Sequence, residues 1–336
     1  MVSRFEKSSI PRLLLCNVIA FGLSGQVRQF LYNDVYMWKF VPLKKFLRIP
    51  LIIAAGLVLI IGILSFVFYI RSPVLVVTDL SFVAVYGENR LRRQIQRSSL
   101  SLFRRVLPVK VAEGASEDII VFAINEASSR PFCVIFPLRF VNAARLFGQQ
   151  RPGVPAIILE GRNIADIDHI VPRGTFFRFR TDTQADFYAA GRFAAILKGE
   201  QDGKTAVFLN EHFQNNERQV FRQAFMNNGR TADVQFFSSL EEVTDFSNIS
   251  CAVIAGAGTD IFGRRVDFPV IFFSWLNPEM TPDAVVVIFN DSPWVQTVPA
   301  ARMASAGIKD GEIASKILIF SSRIADNGVL RRLRSQ

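Results

Sequence analysis

Residues 49–70 carry no charged side chain, over a length that few water-soluble folds can hide. They read Ile-Pro-Leu-Ile-Ile-Ala-Ala-Gly-Leu-Val-Leu-Ile-Ile-Gly-Ile-Leu-Ser-Phe-Val-Phe-Tyr-Ile. A helix rises ~1.5 Å per residue, so this stretch spans a hydrocarbon core of ~30 Å. The alternative is a buried core helix, but helices at the surface of a core keep a polar stripe and this one has none. The flanks set an orientation. Lys39, Lys44, Lys45 and Arg48 crowd the N-terminal side, and Arg71 stands alone after the run. The flank richer in Lys and Arg stays in the cytoplasm, so everything after Arg71 is expected outside it. The run ends Phe-Val-Phe-Tyr-Ile-Arg-Ser-Pro, without the small-residue exit of a cleaved signal peptide and without a cysteine to take a lipid. The expectation is a retained signal anchor: a single pass through the cytoplasmic (inner) membrane, with a periplasmic C-terminal domain.

The net charge of +10 suggests a polyanion partner until it is divided along the chain. Residues 1–48 hold eight Lys/Arg against Glu6 and Asp34, a net +6, and Arg71 adds one. Residues 72–336 are then only +3. Most of the excess is a topology signal beside an anionic leaflet, and no nucleic-acid partner is expected. Three cysteines, Cys16, Cys133 and Cys251, make no disulfide framework. With His169 and His212 the only histidines and no CxxC, neither a metal site nor a cofactor is expected. Within residues 1–48, the apolar run 13–23 is too short to span a bilayer. It reads either as an interfacial cytoplasmic segment or as sequence upstream of a true start at Met37, where a complete basic lead-in begins.

After the anchor, short apolar runs alternate with helix-length segments. Strands are expected at 74–78, 106–111, 133–136, 155–159, 174–180, 205–209, 234–237, 252–255, 269–273 and 284–289. Between them, 88–102, 117–128, 139–147, 184–198 and 216–227 read as helices, and segments 292–306 and 312–320 come last. Uninterrupted short apolar runs indicate strands buried on both faces, and their alternation with helices implies parallel βαβ units. So many strands exceed one small sheet. The expected class is α/β, with two doubly wound parallel-sheet lobes joined by crossovers and preceded by one transmembrane helix. The corresponding domain boundaries are 1–48 (basic cytoplasmic segment), 49–70 (anchor), 73–181 (first lobe), 182–288 (second lobe) and 289–336 (return crossover and C-terminal segment).

Ligands of open parallel sheets bind beyond the carboxyl ends of the strands. That rule selects Asp79 and Phe82, then Asp182, Asn210, Glu211, His212 and Phe213, then Gly256, Gly258 and Asp260. It continues with Ser274, Trp275 and Asn277, then Asn290, Asp291 and Trp294. From this set Asp79, Phe82, Asn210, Phe213, Gly258, Trp275, Asn290 and Trp294 are the expected ligand-binding residues, with amides and a carboxylate to hold polar groups and aromatics to cover flat faces. Plainer readings stand beside them. Asp79 equally suits the cap of the following turn, Asp182 reads as an N-cap and His212 as a surface loop residue. Trp275 and Trp294 are open between lobe core and ligand wall. The turn Gly256-Ala257-Gly258-Thr259 has part of a phosphate loop but not its Lys-Ser/Thr. With no Gly-x-Ser-x-Gly or His-Glu-x-x-His present, nothing calls for an enzyme.

The segment Phe-Arg-Phe-Arg-Thr-Asp-Thr-Gln-Ala-Asp-Phe-Tyr-Ala-Ala-Gly-Arg-Phe-Ala-Ala-Ile-Leu-Lys-Gly-Glu at 177–200 resembles the crossover strand and helix of type I periplasmic binding proteins. It is most similar to the basic membrane protein branch, the nucleoside receptors of ABC transporters. Gly203-Lys204-Thr205-Ala206-Val207-Phe208, the helix at 218–229 and Ala255-Gly256-Ala257-Gly258-Thr259-Asp260-Ile261-Phe262 continue the likeness in register. The resemblance implies a two-lobed solute-binding fold over 73–323, a small-molecule ligand of nucleoside-like or other cyclic, weakly polar kind, and an ABC permease as a possible partner. Three departures bear on the ligand. Asp79-Leu80-Ser81-Phe82 replaces a longer first loop, Ser274-Trp275-Leu276-Asn277 stands where the family carries an acid, and no lysine lies near 290–298. An uncharged or weakly polar ligand is expected. The reading is a membrane-anchored solute-binding protein serving uptake or sensing. Its rival is an envelope interaction module whose cleft has degenerated, and an anchored α/β enzyme is a third class.

Overall fold

The structure, a computed structural model, describes residues 43–162, 169–171, 174–210, 213, 215–227, 234–263 and 266–336. The expectations for residues 1–36, Glu211 and His212 fall outside these.

The first helix is α1 (Leu43–Ile70). Its window Ile53–Ile70 has a mean hydropathy of 2.7 and is 0% buried. It is the one helix among the described residues long and apolar enough to cross a membrane.

The remainder alternates strand and helix. It begins β1 (Val74–Asp79), α2 (Leu80–Tyr86), α3 (Glu88–Leu102), β2 (Val106–Val111), α4 (Glu117–Ala127), β3 (Cys133–Pro137), α5 (Val141–Gln150), β4 (Ala156–Gly161) and β5 (Phe177–Thr181). It continues α6 (Thr183–Lys198), β6 (Lys204–Leu209), α7 (Asn215–Met226), β7 (Val234–Phe237), β8 (Ile249–Ala255), β9 (Val270–Phe273) and β10 (Val285–Asn290). It ends α8 (Pro293–Ser305), β11 (Asp310–Ile313), β12 (Lys316–Ile319) and α9 (Asn327–Arg334).

Two six-stranded sheets result, ordered β11-β5-β4-β3-β1-β2 and β12-β10-β9-β8-β6-β7. Every pairing is parallel except β10 with β12. Strands such as Val-Leu-Val-Val-Thr-Asp in β1 and Val-Val-Val-Ile-Phe-Asn in β10 are buried at every position, as helices on both faces require. Each sheet accordingly separates two apolar cores. Phe136 and Phe147 lie on one side of the first sheet, with Leu159, Phe179 and Trp294 on the other. Phe187, Phe221 and Phe289 fill one side of the second sheet, with Phe208, Ile254 and Ile288 on the other.

The segment 310–319 contributes two strands that periodicity does not reveal. β11 pairs with β5 in the first sheet, and β12 turns back antiparallel on β10 in the second. The chain therefore passes between the sheets at β5–α6, at β10–α8 and at β11–β12. α8 leaves the second sheet and packs Trp294, Ala300 and Ala301 against the first. In α6, a Cβ on Gly191 would lie 2.5 Å from the Phe221 carbonyl oxygen of α7, so only glycine allows the two helices to approach so closely.

Candidate functional site

Asp79 ends β1 with its carboxylate turned back onto the chain. Oδ1 accepts from the backbone N–H of Phe82 at 2.6 Å and from Ser81 Oγ at 2.9 Å, capping α2. Its other oxygen pairs with Arg139. The cap fixes the first turn of α2 and aims Phe82 at the second lobe. There the Phe82 and Trp275 rings meet, centroids 4.8 Å apart and tilted by 30°. Alongside, Arg90 Nη1 donates to the carbonyls of Leu276 (2.6 Å) and Trp275 (3.3 Å), and the Asn277 N–H donates to Val85 O at 3.3 Å. The two lobes are in direct contact along this edge.

Beside that contact lies a cavity of about 470 Å³ between the lobes. Phe82, Arg139, Glu160 and Arg162 line it from the first lobe, Trp275 and Asp291 from the second, and Pro293 and Gln296 from the start of α8. Its size is that of ordinary small-molecule pockets, ~300–1,000 Å³. The charged groups at its wall are paired. Arg139 holds Asp79, Arg178 Nε lies 2.7 Å from Glu160 Oε1, and Arg162 Nη1 lies 3.0 Å from Asp291 Oδ1.

Of the charged groups that line the cavity, Arg162 has the densest set of contacts. Besides Asp291, its Nη2 reaches Ser315 Oγ (2.7 Å), Asp186 Oδ2 (3.1 Å) and the Phe289 carbonyl (3.1 Å). The guanidinium also lies 4.8 Å from the centroid of the Phe273 ring. Its buried Nε has no hydrogen-bond partner among the described residues. Asp186 accepts from both the N–H and the hydroxyl of Ser315. Burial pushes the Asp186 carboxyl above the usual carboxylate range, with the Arg162 charge and the Ser315 hydrogen bonds pulling the other way. Thr181 Oγ1 donates to Asp291 at 3.4 Å and accepts from Gln296 Nε2 at 2.9 Å. Groups from all three passages between the sheets thus converge on one guanidinium.

Of the eight residues expected at the ligand, the structure brings Phe82 and Trp275 to the cavity wall. Asp79 lies behind it as cap and counter-ion of Arg139. Asn290 is buried and accepts from the Ser292 N–H at the β10–α8 passage. Trp294 is 1% exposed inside the first lobe's core, because α8 returns there. Phe213 packs edge-on against Phe187, centroids 5.1 Å apart, and Asn210 sits beside Gly256. Gly258, at φ +77°, exists for packing: a Cβ there would meet the Phe208 ring at 2.6 Å. Asp182 caps α6 by accepting from the Ala185 N–H at 2.9 Å. Arg139, Glu160 and Arg162 are new to the site. The strand-end rule names Arg139 and Arg162 once it is applied after β3 and β4, and Glu160 lies at the carboxyl end of β4 itself.

The wall is rich in ionic groups, but they are cross-paired. No group of three or more His, Cys, Asp or Glu suited to a metal occurs among the described residues.

No protein-family model and no curated protein sequence matches the chain. Among solved structures it is similar to a transcriptional activator of the comK gene from Bacillus halodurans, at 15% identity and a TM-score of 0.52 over 79% of this chain and 95% of that one. It is also similar to an ABC transporter periplasmic solute binding protein from Actinobacillus succinogenes with bound D-allose, at 13% identity and 0.47, covering 75% and 99%. A LacI transcriptional regulator from a Rhodococcus species aligns at 17% and 0.45, covering 74% and 96%. Identities this low speak to the fold alone. At a TM-score of 0.52, the likeness to the comK activator shows that the two-lobed α/β fold described above is shared with it.

Proposed function

We propose that the chain is a membrane-anchored, extracytoplasmic solute-binding protein whose interlobe cavity takes a small, uncharged, cyclic ligand bearing hydroxyls, such as a sugar or a nucleoside-like compound. The observation that carries the reading is the cavity wall itself. Phe82 and Trp275 supply a flat apolar face, and the paired ions Arg139–Asp79, Glu160–Arg178 and Arg162–Asp291 supply donors and acceptors without net charge. A neutral polyol satisfies both, since it stacks on an aromatic and exchanges hydrogen bonds with ion-paired groups without adding an unbalanced buried charge. Arg162 Nε, buried and lacking a protein acceptor among the described residues, is a donor for a ligand hydroxyl. The α1 window has the length and hydropathy of an anchor, and tethering raises the effective concentration near a permease or sensor. Uptake through an ABC permease and reporting of occupancy are both consistent with a cleft that closes.

The direct contact of Phe82 with Trp275 favours a second reading, an envelope interaction module whose lobes stay shut. Thermal unfolding of the purified full chain against neutral monosaccharides and nucleosides separates the two. A saturable stabilisation by one of them, lost in Trp275→Ala, supports the binding protein. Flat responses across the panel, with the same partner-protein contacts in Trp275→Ala, support the module.

A further inference from the structure

A second hollow, of about 300 Å³, lies between the lobes and shares no lining residue with the cleft cavity. One wall is the face of α3 that carries Arg90, Arg93 and Arg97, spaced so that all three lie along one side of the helix. The other wall comes from the second lobe and includes Lys316 of β12. Glu279 is the one acid in the lining. Among the described residues Arg93, Arg97 and Lys316 have no ion-pair partner, whereas Lys110 and Arg180, elsewhere on the surface, each find a glutamate.

Arg90 is held in place by its side-chain contacts, and strand pairing fixes the backbone of Lys316. Arg90 is fixed by the Trp275 and Leu276 carbonyls and lies 4.4 Å from the Tyr86 ring centroid. Lys316 sits in register opposite Asn290 on β10. Burial holds the Lys316 amine below its ordinary range, and the Arg97 and Arg90 charges push it the same way. The fold therefore brings like charges from two lobes to the walls of one hollow. Unscreened, they oppose the approach of the lobes; an anion between them reverses the sign.

We propose that this hollow binds a small, multivalent, phosphate-bearing compound, and that the bound anion ties α3 to β12 and so holds the two lobes together. Guanidinium forks match phosphate oxygens two at a time, and the ammonium adds a point charge, which makes three arginines and a lysine a better set for phosphate than for a single carboxylate. The inference is independent of what the cleft binds, because no residue is common to both.

The test is thermal unfolding of the detergent-solubilised full chain with inorganic pyrophosphate, with citrate, and with sodium chloride at matched ionic strength. Pyrophosphate is expected to raise the Tm saturably beyond the chloride control, and citrate to do so less. Lys316→Glu places a carboxylate where the anion would sit. It is expected to keep or raise the ligand-free Tm while weakening the pyrophosphate response about tenfold or more. The double variant Arg93→Ala/Arg97→Ala is expected to weaken it likewise without the gain in ligand-free Tm. A pyrophosphate effect no larger than chloride's, an equal effect of citrate, or an undiminished response in both variants overturns the proposal.

Discussion

Removing the Arg162 side chain strips the counter-charge from two carboxylates at once. Asp186 and Asp291 have side-chain exposures of 3% and 10%, so neither is well placed to recover hydration. Breaking a buried ion pair from one side destabilises by ~3–5 kcal/mol, because the charge left behind is uncompensated. Arg162→Ala is expected to fall in that range. At ~2–4 °C per kcal/mol for a domain of this order of size, the Tm should drop by about 6–20 °C. The pH dependence gives a second readout. Burial already pushes the Asp186 carboxyl upward, and loss of the Arg162 charge that opposes this pushes it further. The Asp186 contribution is then fully present below the unfolded pKa and is lost as pH rises through the raised folded one. The deficit of Arg162→Ala should therefore shrink on acidification from neutral pH toward the unfolded carboxylate range. Asp186→Asn is the counterpart. It keeps an acceptor for Ser315, leaves Arg162 paired one-to-one with Asp291, and removes the carboxyl that burial already pushes upward. It should be close to neutral at pH 7. Urea unfolding of the variants over a pH series measures all of this. A loss under ~1 kcal/mol for Arg162→Ala, or a deficit that does not change with pH, would refute an ion-pair origin, since exposed pairs give values that small.

Four further outcomes are expected. Trp275→Ala removes the ring that meets Phe82 and should weaken ligand binding about tenfold by titration calorimetry while leaving the fold intact, since the aromatic contact itself is worth ~0.5–1.5 kcal/mol. Gly191→Ala drives a methyl against the Phe221 carbonyl and should destabilise by ~1–3 kcal/mol in urea; a neutral result means α6 and α7 can separate freely. Cys133 and Cys251 are fully buried, and burial pushes each thiol up to about 12, so in a Cys16→Ser background a thiol reagent should label nothing until the chain unfolds. Protease added outside spheroplasts should digest residues after Ser72, and a membrane-free mature protein would contradict an uncleaved anchor.

The sheets were legible where the sequence repeats one physical message. Runs such as 74–77 and 284–289 are apolar at every position, and only a strand covered on both faces wants that. α6 announces itself through Asp182 at its cap and a long amphipathic run. β11 and β12 do not, being four residues each, and the first is Asp-Gly-Glu-Ile with little apolar content. Their pairing comes from the sheet edges they reach, which is information outside the segment. The site was harder for the same reason. Arg162 finds Asp186, Asp291 and Ser315 at sequence separations of 24, 129 and 153, and no local pattern marks such a convergence. Trp294 shows the limit from the other side. A tryptophan just past a strand end suits a ligand wall and a core equally, and only the path of α8 back to the first sheet decides for the core.

That path also explains why one arginine joins the passages between the lobes and lines the cavity. Asp186 follows the β5–α6 passage, Asp291 and the Phe289 carbonyl bracket β10–α8, and Ser315 lies between β11 and β12. Rotation of one lobe on the other must turn these three passages, because they alone join the sheets in sequence. Every such rotation changes at least one distance to the Arg162 guanidinium. The same side chain forms part of the cavity wall. A ligand that engages it therefore contacts the group whose bonds depend on lobe angle. Under the proposed binding function, such a ligand would bind the two lobe angles with different affinity, the one means by which a ligand shifts that equilibrium.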